Sequence, residues 1–195
     1  MALPQGINFS STGYASGNNF AEIGTAANYD GAHSSTQGQV CGWEDAIDVC
    51  ADRDTGLDER LRGAAVSFAT QDRFRIDLPA TGDHVVRCAC GDSSLGGAAY
   101  LEVFDTTTSK LLVDATGLAS TDFLDATDVV RTSAADWVSN NAPSATLNFA
   151  TTICRFRNGS GSDVRKVAHI YIEAVAAGGI AIPVITRQFR QRWAA

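Results

Sequence analysis

The chain has 195 residues, 45% of them hydrophobic and 19% charged, and carries a formal charge of −7. That length fits one domain, or one domain with a short arm, and the hydrophobic content excludes wholesale disorder. The acidic balance argues against a general nucleic-acid binder, which needs basic excess to displace counterions.

Residues 6–10, GINFS, read as a first strand. The opening stretch MALPQGINFS has no basic segment and no apolar core, so it does not read as a secretion signal. No run of 18 apolar residues is present to span a membrane, and the expectation is a protein made in the cytoplasm. Residues 11–40 are rich in Gly, Ser, Asn and Ala and read as a long loop or short edge strands. Residues 41–63 hold Trp43 and a charged run, in which ERLRG predicts at most one helical turn.

The stretch 72–92, DRFRIDLPATGDHVVRCACGD, reads as a β-hairpin. Phe74, Ile76 and Leu78 alternate with Arg73, Arg75 and Asp77, the period of a half-buried strand. Pro79 ends that strand and Gly82 supplies the turn. His84, Val86, Cys88 and Cys90 then share one face of the return strand. A strand at 64–68 precedes this unit, and a hairpin of 100–105 with 111–114 follows it. Residues 127–132 read as a strand, 136–143 as an exposed loop, 147–157 as one long strand and 167–175 as the closing strand. No internal repeat and no amphipathic helix of ordinary length is present, which argues against a parallel α/β sheet. Short strands with regular turn signals predict an all-β sandwich or jelly roll.

The run Phe74-Arg75-Ile76-Asp77-Leu78-Pro79, with Gly82 and Gly91-Asp92, resembles the strand–turn–strand pattern of jelly-roll modules with a galactose-binding-like or malectin-like fold. Such modules are often appended to polysaccharide-degrading enzymes and esterases. Gly42-Trp43 and Asp52-Arg53-Asp54 match that family's G-W and D-R-D elements. The resemblance spans residues 6 to 175 and is specific between Gly42 and Asp92. It departs at His84, Cys88 and Cys90, where the family has an aromatic and larger apolar residues. It implies a jelly-roll β-sandwich over 1–175, with 176–195 left as a C-terminal arm. That arm follows a small-residue hinge, carries Arg187, Arg190 and Arg192 with no acid, and adds Phe189 and Trp193.

Chemistry-bearing motifs are few. Gly91-Asp92-Ser93 resembles the nucleophile block of Gly-Asp-Ser esterases, but the Asp-x-x-His partner they carry late in the chain stands upstream here, at Asp30 to His33. The reading favoured is a turn in which Asp92 caps backbone amides. His84 and His169 sit inside strand patterns and read as packed or surface residues. The five cysteines are odd in number and poorly spaced for a disulfide framework. Cys88 and Cys90 read as core thiols, a Cys41–Cys50 pair stays open, and a zinc site on Cys88-x-Cys90 lacks the usual spacing. Asp52, Asp54 and Asp58 form a weak candidate calcium loop, with Gly63 where a bidentate Glu belongs. The competing reading is a local network of these acids with Arg53, Arg60 and Arg62. No other cofactor is expected. For a glycan, Trp137 is the best stacking platform, flanked by Asn140 and Asn141, while the resemblance implies that Trp43 is a core or rim anchor.

Two functions follow. The first is a non-enzymatic structural protein of a tailed-phage virion, as a capsid decoration, head spike or tail or fibre component. It would be oligomeric within the particle and would touch other virion proteins and a host surface glycan. Ile182, Val184, Arg187, Phe189, Arg190, Arg192 and Trp193 would dock it. The alternative is a carbohydrate-binding module for a polysaccharide, with a serine esterase as the remote third.

Overall fold

The computed structural model describes residues 5–11, 19–32, 40–53, 57–67, 72–107, 109–140, 144–157 and 165–175. In chain order the strands are β1 (Gln5–Ser10), β2 (Asn19–Ile23), β3 (Cys41–Trp43), β4 (Val49–Asp52), β5 (Gly63–Ser67), β6 (Arg73–Asp77), β7 (Gly82–Gly91) and β8 (Gly97–Phe104). They continue as β9 (Ser109–Leu118), β10 (Phe123–Leu124), β11 (Val130–Arg131), β12 (Ala145–Phe149), β13 (Ile153–Arg157), β14 (Arg165–Val167) and β15 (His169–Ala174). A 3-10 turn at Glu59–Leu61 and one short helix, α1 (Ala134–Asn140), complete the set.

These strands pair into three sheets. One runs β11-β10-β7-β15-β1-β2, with β12 also on β7. The second runs β3-β6-β13-β8-β9, and a small third runs β14-β5-β4. Between the two large sheets the chain crosses directly at β2–β3, β6–β7, β7–β8, β9–β10 and β12–β13, the jelly-roll habit of an all-β sandwich. Pairing between neighbours is antiparallel except for β1 with β2, which is parallel. The main core lies between the two large sheets. Its centre is Phe9 on β1 against Trp43 on β3 and Phe74 on β6, with ring centroids 5.2 to 5.3 Å apart. Edge-to-face packing at that spacing adds to the burial term and clamps one sheet on the other. Gly63 lets β5 approach β1, since a Cβ there would lie 2.1 Å from the Phe9 carbonyl oxygen.

A smaller core lies on the other face of the first sheet. Leu61, Ala89, Phe123, Trp137 and Ala168 form it. Ala89 and Ala168 are small enough to leave room for the indole of Trp137, whose Nε1 donates to the Cys88 carbonyl at 3.2 Å. Ser133 caps the start of helix α1, and Asp136 secures the residue before that cap. Ser133 Oγ accepts from the Asp136 amide, and the Asp136 carboxylate accepts from the Thr132 amide.

Several expectations change. The strands of 72–92 are present, and Gly82 turns between them at φ +107°. They do not pair as a hairpin: β6 joins β3 and β13, whereas β7 joins β10, β12 and β15. The turn therefore arches from one sheet to the other. Period-2 alternation reports which face is buried, and both strands bury a face toward the same core. The expected long strand at 147–157 is likewise two strands in opposite sheets, broken at 150–152. The expected loop after Asp136 is largely α1. Only Val130–Arg131 of the expected strand at 127–132 is extended, because Asp128 adopts φ +63° in a turn. The closing strand is interrupted at Ala168, whose amide turns to the Ala89 carbonyl. The hairpin of β8 with β9 forms as expected.

Candidate binding cleft at the open edge of the sandwich

Strand β9 ends the second sheet, and β12 pairs with β7 on one side alone among the described strands. A cleft of about 460 Å³ opens between these two margins. Leu112, Ala126 and Ala145 are its buried floor, and Lys110, Asp114, Thr127, Asp128, Ser144 and Thr146 are its polar lining. A second hollow of about 190 Å³ shares Lys110 and Thr146 and carries the groove on to Phe104 and Phe149.

The two margins differ. Leu101 faces Val113 and Glu102 faces Leu111, so Leu112 is an extra residue in β9. That bulge buries Leu112 and Val113 in succession and turns Leu111 outward to 47% exposure. A bulge and a lysine are the usual means of blunting a free edge. Strand β12 has neither. Its register with β7 is regular from Ala145 opposite Val86 to Phe149 opposite Gly82.

An aspartate and a threonine two residues later fix each end of the groove. At one end Asp125 Oδ1 accepts from the Thr127 amide at 2.9 Å and its hydroxyl at 2.6 Å, while Oδ2 accepts from Arg131 Nη2 at 2.7 Å. Burial pushes the Asp125 carboxyl up, but the Thr127 and Arg131 bonds outweigh it and hold it below the usual carboxylate range. The same turn presents Asp128, whose Oδ1 accepts from the Asp114 amide of β9 at 3.1 Å. At the other end Asp105 Oδ1 accepts from the Thr107 amide and hydroxyl, and Oδ2 accepts from the Ala150 amide at 2.9 Å. Asp105 thus ties the β8–β9 turn to the crossing from β12 to β13. The cleft can hydrogen-bond an extended or hydroxyl-rich ligand, and its size suits a small ligand.

The sequence reading missed this site. Its signal is the repeated Asp-x-Thr at Asp105-Thr106-Thr107 and Asp125-Ala126-Thr127, an Asx-turn pattern.

The residues singled out from the sequence lie elsewhere. Trp137 is 1% exposed, its indole enclosed in the second core under the Arg60 guanidinium, so it offers no stacking face to a sugar. Asn140 is exposed at the end of α1, where its Nδ2 turns back to the Asp136 carbonyl and carboxylate. Asn141 lies outside the described residues, as do Asp54 and the arm residues Ile182, Val184, Arg187, Phe189, Arg190, Arg192 and Trp193. Asp52 accepts from the Ser11 amide and hydroxyl, and Asp58 caps the 3-10 turn and pairs with Arg60 at 2.7 Å. Among the described residues no group of three His, Cys, Asp or Glu side chains stands close enough to hold a metal. The acid–arginine network is real for Asp58 with Arg60, while Arg53 pairs with Asp92 and Arg62 donates to the Leu57 carbonyl.

None of the five cysteines forms a disulfide, so Cys41 and Cys50 do not pair. Cys50 Sγ instead donates to the Ser10 carbonyl at 3.0 Å, and burial pushes its thiol up to about 12. Trp43 is a core anchor, as expected. His84 is buried against Phe149, and His169 is buried with Nδ1 2.7 Å from Asn8 Oδ1. Asp92 caps the Ser94 and Leu95 amides, as the turn reading required.

No family model matches the chain. No curated protein matches it either. Among solved structures it is similar to a β-glucuronidase of Bacteroides uniformis, at 6% identity and a TM-score of 0.46, over 89% of this chain. The chain spans 18% of that enzyme's length. It is also similar to the K3 cleaved adhesin domain of Lys-gingipain from Porphyromonas gingivalis w83, at 10% identity and a TM-score of 0.30. That match covers 57% of this chain and 73% of the adhesin domain. Superpositions this loose carry no functional argument, so the architecture rests on the strand order above.

Proposed function

We propose that this chain is a non-enzymatic structural protein of a multi-protein particle, with a tailed-phage virion as its setting. The β-sandwich is the displayed body and residues 176–195 are the attachment. The open margin at β9 and β12 carries the reading. Two sheets end side by side there over an apolar floor with a polar rim, a surface suited to a strand or polymer from outside. Charge asymmetry supports it. The chain carries −7 and residues 176–195 carry three arginines and no acid, which leaves −10 on residues 1–175. Mass spectrometry of purified particles from the source tests this. The chain should be a stoichiometric component, and deleting residues 180–195 should give a soluble protein that no longer joins the particle. Its absence from particles, or normal incorporation of the deletion variant, would overturn the reading.

A carbohydrate-binding role is the second reading. It is favoured by the Thr127, Ser144 and Thr146 side chains beside the Asp114 and Asp128 carboxylates, a lining that matches vicinal hydroxyls. A glycan array with full-length protein decides it, using Thr146→Arg rather than a tryptophan variant as control.

A further inference from the structure

We propose that the cleft between β9 and β12 receives the C-terminal arm of a second copy of this chain, with residues 180–185 added to the free edge of β12. This rests on the assembly reading above and names the partner. Three observations lead to it.

The receiving edge is specific. Strand β12 is regular, unbulged and paired on one side alone among the described strands, with its inward residues Ala145, Leu147 and Phe149 buried. Leu112 and Ala126 extend that apolar floor across the cleft. An added strand would lay alternate side chains onto it and satisfy the backbone groups along the edge.

The arm has the matching pattern. Ile180, Ile182 and Val184 have one parity, and Pro183 has the other. Residues of one parity send their backbone groups to one side of a strand. The Asp83 carbonyl turns to Val175 on the β15 side, so Gly82, His84 and Val86 turn to β12, and the backbone groups of Thr146 and Asn148 face the free edge. A strand laid parallel to β12 with Ile180, Ile182 and Val184 inward turns Pro183 away from β12, where it has no donor to lose. Arg187, Arg190 and Arg192 follow, and the body they approach carries −10.

The exit point favours a second copy over the chain's own cleft. Val175 donates to the Asp83 carbonyl beside the start of β7, so the chain leaves from β15. The order from there is β15, β7, β12, then the free edge. Three strand spacings are ~14 Å. A strand parallel to β12 also starts at its Ala145 end, ~10 Å back along the sheet from Val175, so the straight line is ~17 Å and runs through β7 and β12 themselves. The five Cα steps from Val175 to Ile180 span at most ~18 Å, too few to pass around those strands. A head-to-tail contact of this kind generates chains or rings of copies.

Sedimentation velocity on the full chain over a range of concentrations is the test. The unmodified protein should grow past the dimer as concentration rises. Thr146→Arg, an exposed side chain on the cleft wall, should weaken association roughly tenfold or more. The arm variant Ile182→Asp with Val184→Asp should do the same. Mixing the two variants should restore one contact and stop at a 1:1 dimer. Circular dichroism confirms folding, and Ser144→Arg replaces Thr146→Arg if the latter unfolds. A full chain that stays monomeric, or that associates equally well with Thr146→Arg, overturns the proposal. A monomer whose melting temperature falls with the arm variant would place the arm in its own cleft and overturn it too. If particle incorporation needs residues 180–195 but tolerates Thr146→Arg, the assembly reading stands and the copy-to-copy contact falls.

Discussion

Arg53 grips the Asp92 carboxylate through Nε at 3.0 Å and Nη2 at 2.7 Å, and that carboxylate is fully buried. Its other oxygen accepts from the Ser94 and Leu95 amides, and Lys166 Nζ holds the same loop through the Leu95 and Gly96 carbonyls. Removing one partner of a buried pair leaves the other charge uncompensated, so Asp92→Ala should cost about 3–5 kcal/mol. Asp92→Asn retains an acceptor for the two amides and should cost less. Urea midpoints for the two variants check this, and equal losses would show that the loop amides contribute little.

Trp137 fills the second core, so its removal should be a stability event. Trp137→Ala should destabilise by about 3–5 kcal/mol through the cavity left over Ala89 and Ala168. Trp137→Phe keeps most of the packing and loses the bond to the Cys88 carbonyl, worth about 1 kcal/mol. Denaturant titration gives both values. Glycan binding lost by the stably folded Phe variant would contradict the buried placement.

His169 makes stability depend on pH in a defined window. Burial, aided by the nearby Arg60 charge, lowers its folded pKa from 6.5 to about 3, while Asp58 pulls weakly the other way. Between those values the unfolded chain binds a proton that the folded chain refuses. Stability is therefore full above 6.5 and falls as pH drops toward 3, by at most ~1.4 kcal/mol per pH unit. Asp58 and Asp125, held below 3.8 in the fold, add their own loss only at lower pH. Urea midpoints from pH 7 to pH 4 should slope for the natural chain and flatten for His169→Gln.

Asp125 shapes the cleft without lining it. Asp125→Ala strips Thr127 and Arg131 of their shared acceptor and frees the turn that presents Asp128 to β9. The expected cost is about 3 kcal/mol, typical of a buried carboxylate paired with arginine. Self-association at the cleft should weaken as well. Calorimetry and sedimentation on one sample separate the two effects.

The thiols should be inert in the native state. Cys88, Cys90, Cys41 and Cys154 are buried, and burial holds the Cys50 thiol near 12. Alkylation at neutral pH should label five cysteines in denaturant and almost none without it, by intact mass. Rapid native labelling of Cys50 would show that the Ser10 contact opens readily.

Local patterns in the sequence were enough to place most strands, the single turn of 59–61 and the capping role of Asp92. Each depends on the residue's own neighbours: a period of two, a proline, an aspartate two residues before an amide. Partner choice was decided by tertiary structure. The pattern of 73–91 is the same for a hairpin and for an arch between sheets, because alternation encodes the buried face and not the neighbouring strand. Trp137 reads as exposed among Asp, Ser and Asn, yet two distant alanines on β7 and beside β15 create its pocket. The cleft's local signal is two short Asx turns, at Asp105 and Asp125, and neither says that the two flank one groove. It exists because β9 and β12, some thirty residues apart in the chain, happen to end their sheets on the same side.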